Sequence, residues 1–380
     1  MTATPLLRIV EAAPVAPRRI LHVFPSFEVG GAQMRFTHLV RGLGRSYQHT
    51  VISLRGDCAA RQHLDADAPV EFAPACATAL NLFGRLAAYR AEIARLSPAA
   101  LVTYNWGAIE WGAANLGSST PHIHVVDGFG PDEAQRQLLR RVWARRLVLR
   151  DSTVVAPSLT LRKIALNSWG LTPERVVYIP NGIEPQDTYR TPLSTVAHDL
   201  APGLPRIVWA GAMRREKNLI RLLRAFGPLR DEAVLVLIGD GPERAAVERE
   251  IQALGVERSV RLVGQRRDAR DLIMQCDLMA LSSDTEQMPL CVLEAMDAGL
   301  PVVATDVGDV KSMVAPEGAA FVVPTSDVEM SAALRGLLAD RALRVRIGRA
   351  NRRRVRADFS MRGMCASYRT LFTTPLRAPA

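Results

Sequence analysis

Glu286 and Glu294 stand with seven residues between them, and Pro289 lies in the interval. Proline suits the first position of a helix, where its missing N–H would be unpaired anyway. The stretch Ser282–Met296 therefore reads as a loop carrying Glu286, then a helix carrying Glu294 nearly two turns inside. Helix-start amides favour an anion, and carboxylates on either side of a bound diphosphate could hold hydroxyl groups. Arg214, Arg215 and Lys217 place three cations in four positions of a loop after the apolar run RIVWA. Such a cluster can neutralise a diphosphate without metal. Gly30 and Gly31 follow another apolar run and precede a helical pattern, so their bare backbone can approach a phosphate. Leu237–Glu243 is a further strand, glycine turn and helix start, either structural or lining a cleft. Taken singly, each feature has a plainer reading: a solvated loop, an ordinary turn, a chance spacing.

The elements that must hold these residues alternate between strand and helix. Apolar runs at Arg19–Pro25, His49–Leu54, Leu101–Tyr104, Ile123–Val126 and Thr153–Ala156 read as strands, with a helical pattern over Ala32–Gly44. The rhythm lapses over Asn181–Pro205, which Pro180, Pro185, Pro192, Pro202 and Pro205 punctuate. It resumes with strands at Arg206–Ala210, Val234–Ile238, Val260–Val263, Leu278–Leu281, Val302–Thr305 and Ala320–Val323. Helices at Arg341–Phe359 and Arg362–Leu371 follow. This alternation makes parallel sheets covered by helices on both faces. The expected organisation is a flexible arm over residues 1–18, an α/β domain over 19–190, a linker over 191–205 and a second α/β domain over 206–359. The C-terminal helical piece, 360–380, is expected to complete the first domain. Ligands of open parallel sheets sit at the carboxyl ends of the strands, which puts the site in the cleft between the domains.

Composition narrows the partner. Lysine plus arginine total 48 against 38 aspartate plus glutamate, a net charge of +10 that draws the chain towards nucleic acid, anionic lipid or phosphorylated substrates. Aromatic residues make up only 6%, without the aromatic–basic interleaving of an RNA-reading sheet, so nucleic acid is not expected as a partner. Lysine occurs only at Lys163, Lys217 and Lys311. Five scattered cysteines form no CxxC pair, which argues against a zinc ribbon or a disulfide framework and suits a reducing compartment. Pro5, Pro14 and Pro17 break the first segment, which does not read as a signal peptide. No run of about 18 apolar residues occurs. A cytoplasmic protein is expected. Gly239 and Gly241 are not followed by a third glycine at Arg244, so the dinucleotide fingerprint of an oxidoreductase is missing.

Five patches then agree in order over nearly the whole chain: GGAQ at Gly30–Gln33, VVAPS with YIPNGI within Val154–Ile183, GAMRREKN, IGDGPE, and EQMPLCVLEAMDAGLPVVATDVG at Glu286–Gly308. They resemble the retaining, nucleotide-sugar-dependent glycosyltransferases of family 4, which have the GT-B fold of two Rossmann-like domains. The last patch resembles that family's EX7E signature. The resemblance implies that amides at Gly30 and Gly31 cradle the donor diphosphate and that Lys217 neutralises it as it departs. It implies that Glu286 contacts the transferred sugar and that Glu294 binds the ribose hydroxyls. Backbone groups at Val263 and Gly264 would hold the base, with Met288 and Leu290 amides facing sugar and phosphates. UDP is expected before GDP as the donor nucleotide. No DxD-type acidic pair stands at a strand end, so no metal or other cofactor is expected.

Three departures from the family pattern matter. Ala212 stands where many relatives have arginine, leaving Arg214 or Arg215 as substitutes, and Gln287 stands where glycine is frequent. Asp127 occupies the place of a frequent histidine, either as a contact to donor sugar or acceptor or as an ordinary turn residue before Gly128. The acceptor is expected to be a glycan or a lipid-linked glycan, in cell-surface or exported polysaccharide assembly. In the helical pattern Ala134–Arg150 the arginines spread around most of the circumference, which gives no clean membrane-binding face. Peripheral membrane contact and a merely solvated basic helix both stay open. The competing reading is a basic GT-B-like protein without transferase activity that binds glycan or nucleic acid.

Overall fold

The computed structural model describes residues 17–76, 81–129, 133, 136–198 and 203–373. Seven parallel strands form the first sheet: β1 (Arg18–Phe24), β2 (Tyr47–Ser53), β3 (Val70–Ala73), β4 (Ala100–Tyr104), β5 (His122–Val125), β6 (Thr153–Ala156) and β7 (Val176–Tyr178). Their spatial order is β3-β2-β1-β4-β5-β6-β7. Six parallel strands form the second: β8 (Arg206–Ala210), β9 (Val234–Ile238), β10 (Val260–Gly264), β11 (Leu278–Leu281), β12 (Val302–Thr305) and β13 (Val322–Val323). Here the order is β10-β9-β8-β11-β12-β13. Helices connect the strands because each parallel crossover needs a long return, and both sheet faces are thereby buried.

In each sheet the strand order reverses once, between β1 and β4 and between β8 and β11. At such a reversal the two adjoining loops leave in opposite directions and open a crevice at the carboxyl ends. Gly30 follows β1, Lys217 follows β8 and Glu286 follows β11, so the topology delivers these residues to the two crevices.

The structure differs from the sequence reading in several places. Arg18 already belongs to β1, and its guanidinium donates to Phe372 O at 3.1 Å. Residues 1–16 of the expected arm lie outside the described residues. β3, β7 and the helix Leu82–Leu96 were not read from the sequence. The strand expected at Ala320–Val323 shrinks to Val322–Val323 because Pro316–Phe321 winds into a tight helical turn.

The chain crosses between the domains twice, side by side. Ile183 N–H donates to Phe359 O at 3.0 Å, and Met361 N–H donates to Ile183 O at 2.8 Å. A Cβ on Gly182 would lie 2.6 Å from Ser360 O, so only glycine lets the crossings approach this closely. Beyond the second crossing, the helix Met361–Thr373 returns to the first domain. Its Met364, Tyr368 and Phe372 pack with Phe36, Leu39 and Val40 of the helix Gly31–Leu43 in one core. Each such side chain contributes roughly 1.5–3 kcal/mol by leaving water.

Candidate active site

The first loop supplies backbone. Gly30 is extended at φ −166° and caps the helix Gly31–Leu43, whose first turn contains no acidic residue. A Cβ on Gly31 would meet nothing within 4 Å, whereas one on Gly30 would fall 2.9 Å from Gln33 Oε1, whose amide donates to Ser26 O. Packing therefore does not demand glycine at Gly31, and the space there is open for a ligand to approach the amide.

The second domain supplies charge. Lys217 Nζ donates to Glu286 Oε1 at 2.5 Å, and Ser283 Oγ donates to the same oxygen at 2.7 Å. The two side chains are 23% and 8% exposed, so the pair sits mostly out of water. Burial opposes the ammonium charge, but Glu286 outweighs it and holds the Lys217 pKa above its ordinary value. Two protons of the ammonium remain for another acceptor. Gly308 fixes the backbone beneath: at φ +57°, a Cβ there would fall 2.1 Å from Glu286 O. Arg214 and Arg215 are exposed and, among the described residues, make no side-chain ion pair, while Ala212 contributes no charge.

Pro289 is the cap of the helix Leu290–Asp297 rather than its first residue, and Glu294 lies just over one turn inside. Its carboxylate is half-buried and has no hydrogen-bond partner among the described residues. Burial pushes its pKa up to about 7, with Arg270 pulling the other way. Cys291 is close enough to feel Glu286, Lys217 and Glu294, and burial raises its thiol to about 12, which keeps it protonated. Val263 is an extra residue in the β9–β10 register, which skips from Leu262 to Gly264, and Gly264 turns at φ +75°. This bulge directs the end of β10 out of the sheet.

A polar chain joins the two domains behind this cluster. Asp127 N–H donates to Asn105 Oδ1 at 2.7 Å, and its carboxylate accepts from Arg35 Nη2 at 2.7 Å. Arg35 is only 2% exposed; burial disfavours its charge, yet Asp127 more than compensates and keeps it ionised. Arg35 Nη1 reaches Asn181 Oδ1 at 3.2 Å, and Asn181 Nδ2 donates to Met288 O at 2.8 Å. Ser158 Oγ donates to Gln287 Oε1 at 3.1 Å. The Asp309 carboxylate accepts from Leu159 N, Thr160 N and Thr160 Oγ1 at 2.5, 3.1 and 2.7 Å, capping a first-domain helix from the second domain.

The structure thus gathers Lys217, Glu286 and Glu294 and ties Gln287 and Met288 to the first domain. It commits Asp127 to a buried arginine, and Leu290 is half-buried at the helix start. Sequence reasoning missed Arg35, Asn181, Ser158 and Asp309. Arg35 did carry a signal: it occupies the apolar phase of its helix with Ala32, Phe36 and Leu39.

Comparison with known proteins bears on the family and the fold. Residues 29–187 match the family described as Glycosyltransferase Family 4, and residues 195–354 match Glycosyl transferases group 1. The chain is similar to the N-acetyl-alpha-D-glucosaminyl L-malate synthase of Bacillus anthracis, 29% identical over 43% of this chain and 44% of that protein. It is also similar to the UDP-Gal:alpha-D-GlcNAc-diphosphoundecaprenol alpha-1,3-galactosyltransferase of Escherichia coli, 23% identical over 57% of this chain and 59% of that one. The matched stretches span about half the length of these relatives. The structure of Anabaena HepE in complex with UDP superposes with a TM-score of 0.79 at 20% identity, covering 94% of this chain and all of the other. That likeness shows the GT-B fold.

Proposed function

We propose a reaction for this chain, which belongs to the family 4, group 1 glycosyltransferases: it moves a sugar from a nucleotide-diphosphate sugar to a hydroxyl of a glycan or lipid-linked acceptor. The transfer retains the anomeric configuration and needs no metal. The observation that carries this reading is the Lys217–Glu286 pair at the carboxyl ends of β8 and β11, with the Glu294 carboxylate in the helix that follows making no hydrogen bond among the described residues.

The donor diphosphate lies against the Gly30 and Gly31 amides and Lys217. As the sugar C1–O bond breaks, negative charge gathers on the departing phosphate, where the spare ammonium protons of Lys217 and the free Arg214 and Arg215 stabilise it. Aligned cations of this kind act most strongly where water is thin. Glu286 is held by Lys217 and Ser283 and presents its second oxygen to the sugar. The acceptor oxygen gives its electron pair to C1 on the side the phosphate leaves, and its proton passes to that phosphate. Glu294 accepts from the ribose hydroxyls, and the bulge at Val263 and Gly264 receives the base. Among the described residues no cluster of three histidine, cysteine or acidic groups is placed to hold a metal ion. Lys217 and the arginines would supply the positive charge.

UDP is favoured over GDP because UDP occupies the Anabaena structure and the Escherichia coli relative is named for UDP-Gal. The diphosphoundecaprenol in that relative's name favours a lipid-linked acceptor and cell-surface polysaccharide synthesis at the cytoplasmic side. The test is a thermal-shift panel of UDP-, GDP-, ADP- and dTDP-sugars in EDTA, beside Lys217→Ala and Glu294→Ala. Stabilisation by a UDP-sugar that both variants weaken supports the reading. Absence of any shift in folded protein replaces it with a transferase-silent binding protein.

A further inference from the structure

We propose that the helix Leu139–Leu149 docks the protein onto an anionic lipid bilayer. In the sequence this segment has no clean face, because its arginines spread around most of the helical circumference. In the structure they divide. Arg145 turns inward, 3% exposed, and donates to both Glu133 carboxylate oxygens at 3.0 and 2.7 Å. Arg141 joins it on Glu133 at 3.1 Å, and both guanidiniums lie 5.0 Å from the Trp106 ring centre. With these two removed from the outer surface, a different pattern is left.

Leu139, Trp143 and Leu147 are 66%, 59% and 59% exposed. They recur every fourth residue, which places them in one stripe along the helix. Arg140 and Arg146 border the stripe on opposite sides, and Arg136 and Arg150 stand beyond its ends; all four are exposed. Arg136 and Arg140 have no partner among the described residues. Arg146 lies 5.5 Å from the Trp143 ring, and Arg150 pairs with Asp151, the one carboxylate among the described residues that pairs with these four arginines.

An apolar stripe with arginines on both flanks is the design of a helix that lies in a membrane interface. Tryptophan favours the headgroup level, where its apolar ring and its N–H both find partners. A second copy of this chain fits poorly, since antiparallel pairing of the stripes would set arginine against arginine. Eleven residues are too few to cross a bilayer, and no helix among the described residues is long and apolar enough to do so. The contact is therefore peripheral. It agrees with a lipid-linked acceptor but does not depend on the proposed reaction.

Vesicle binding tests this without donor or acceptor, so its failure is separate from any failure of the transferase reading. The full chain is sedimented with vesicles of equal parts phosphatidylcholine and phosphatidylglycerol, and with phosphatidylcholine alone. Binding is expected to the mixed vesicles only and to weaken as salt rises. Replacing Arg140 or Arg146 by Gln should reduce it about fivefold each, and Leu139→Ser with Leu147→Ser should reduce it about tenfold or more. Brominated lipid should quench Trp143, the exposed tryptophan, and Trp143→Phe should lose the quench while keeping binding. These positions are exposed, so unchanged melting temperatures confirm that the variants fold. Binding that survives the leucine pair but falls with Arg349→Gln and Arg353→Gln, on the helix Arg341–Asp358, would overturn the assignment. So would the absence of vesicle binding, or a dimer that the leucine substitutions dissociate.

Discussion

β1 carries His22 into the first core, where Nε2 meets His49 Nδ1 at 2.9 Å and Nδ1 meets the Tyr104 hydroxyl at 3.1 Å. Its counterpart β8, central in the second sheet, carries Ile207, Val208, Trp209 and Ala210 into an apolar core. The contrast continues outward. His122 and His124 share Thr103 Oγ1 at 2.8 Å, and Arg35 pairs with Asp127 in the same domain. All seven histidines precede β8. The second domain instead keeps its distinctive charges, Lys217, Glu286 and Glu294, at the cleft. Buried histidines set the first domain apart; the second also buries polar groups, among them Asp297 and Asn351, and under the proposed reading its cleft charges serve the transfer.

The sharpest way to break this contrast is to delete one charge from each side. Arg35→Met strands the Asp127 carboxylate, and removing one partner of a buried pair costs about 3–5 kcal/mol. Denaturant unfolding should register that loss. Lys217→Ala should instead lower donor turnover about 10²–10³-fold, with the smaller loss of stability. The contrast collapses if Lys217→Ala proves the more destabilising of the two.

Acid probes the same asymmetry. Burial lowers His22 and His124 well below the usual histidine range, and His49 and His122 to about 4. The unfolded chain therefore binds more protons than the folded one between about pH 4 and 6.5. Stability held by these neutral rings is complete above that window and is lost as pH falls through it, on the order of 1–3 kcal/mol for His49 and for His122. Hydrogen exchange at pH 5 against pH 7 should open β1, β2, β4 and β5 before β8, β9 and β11. Uniform opening of both sheets would remove histidine as the cause.

Glu294 gives the smallest effect and the opposite sign. Its folded pKa of about 7 lies above the unfolded value, so the native state loses stability as pH rises from about 4.5 to 7. Glu294→Gln should melt higher relative to wild type at pH 8 than at pH 5, by about 1–2 kcal/mol, while binding donor more weakly. A pH-independent difference would show that the carboxylate is not enclosed.

Much of the α/β rhythm was legible because buried parallel strands are short apolar runs, as in RIVWA and VLVLI. β3 escaped notice because it is a four-residue edge strand with no fully buried side chain. Spacing around Pro289 exposed the two glutamates, since a loop and one helical turn are local matters. The Arg35–Asp127 pair spans 92 residues, and no local pattern announces which distant carboxylate an arginine will meet. The same limit blurred the helix Leu139–Leu149: without Glu133 and Trp106 in place, inward and outward arginines look alike.

The helix Met361–Thr373 also has a consequence for synthesis. It belongs to the first core yet is translated after the whole second domain. On a ribosome moving at about 5–20 residues per second, Phe36, Leu39 and Val40 wait uncovered for roughly fifteen to sixty-five seconds. The second domain can form its sheet in that interval, whereas the first must remain incomplete until its last helix arrives. A nascent chain stalled before Met361 would therefore offer an apolar groove to chaperones from a domain already most of the way folded.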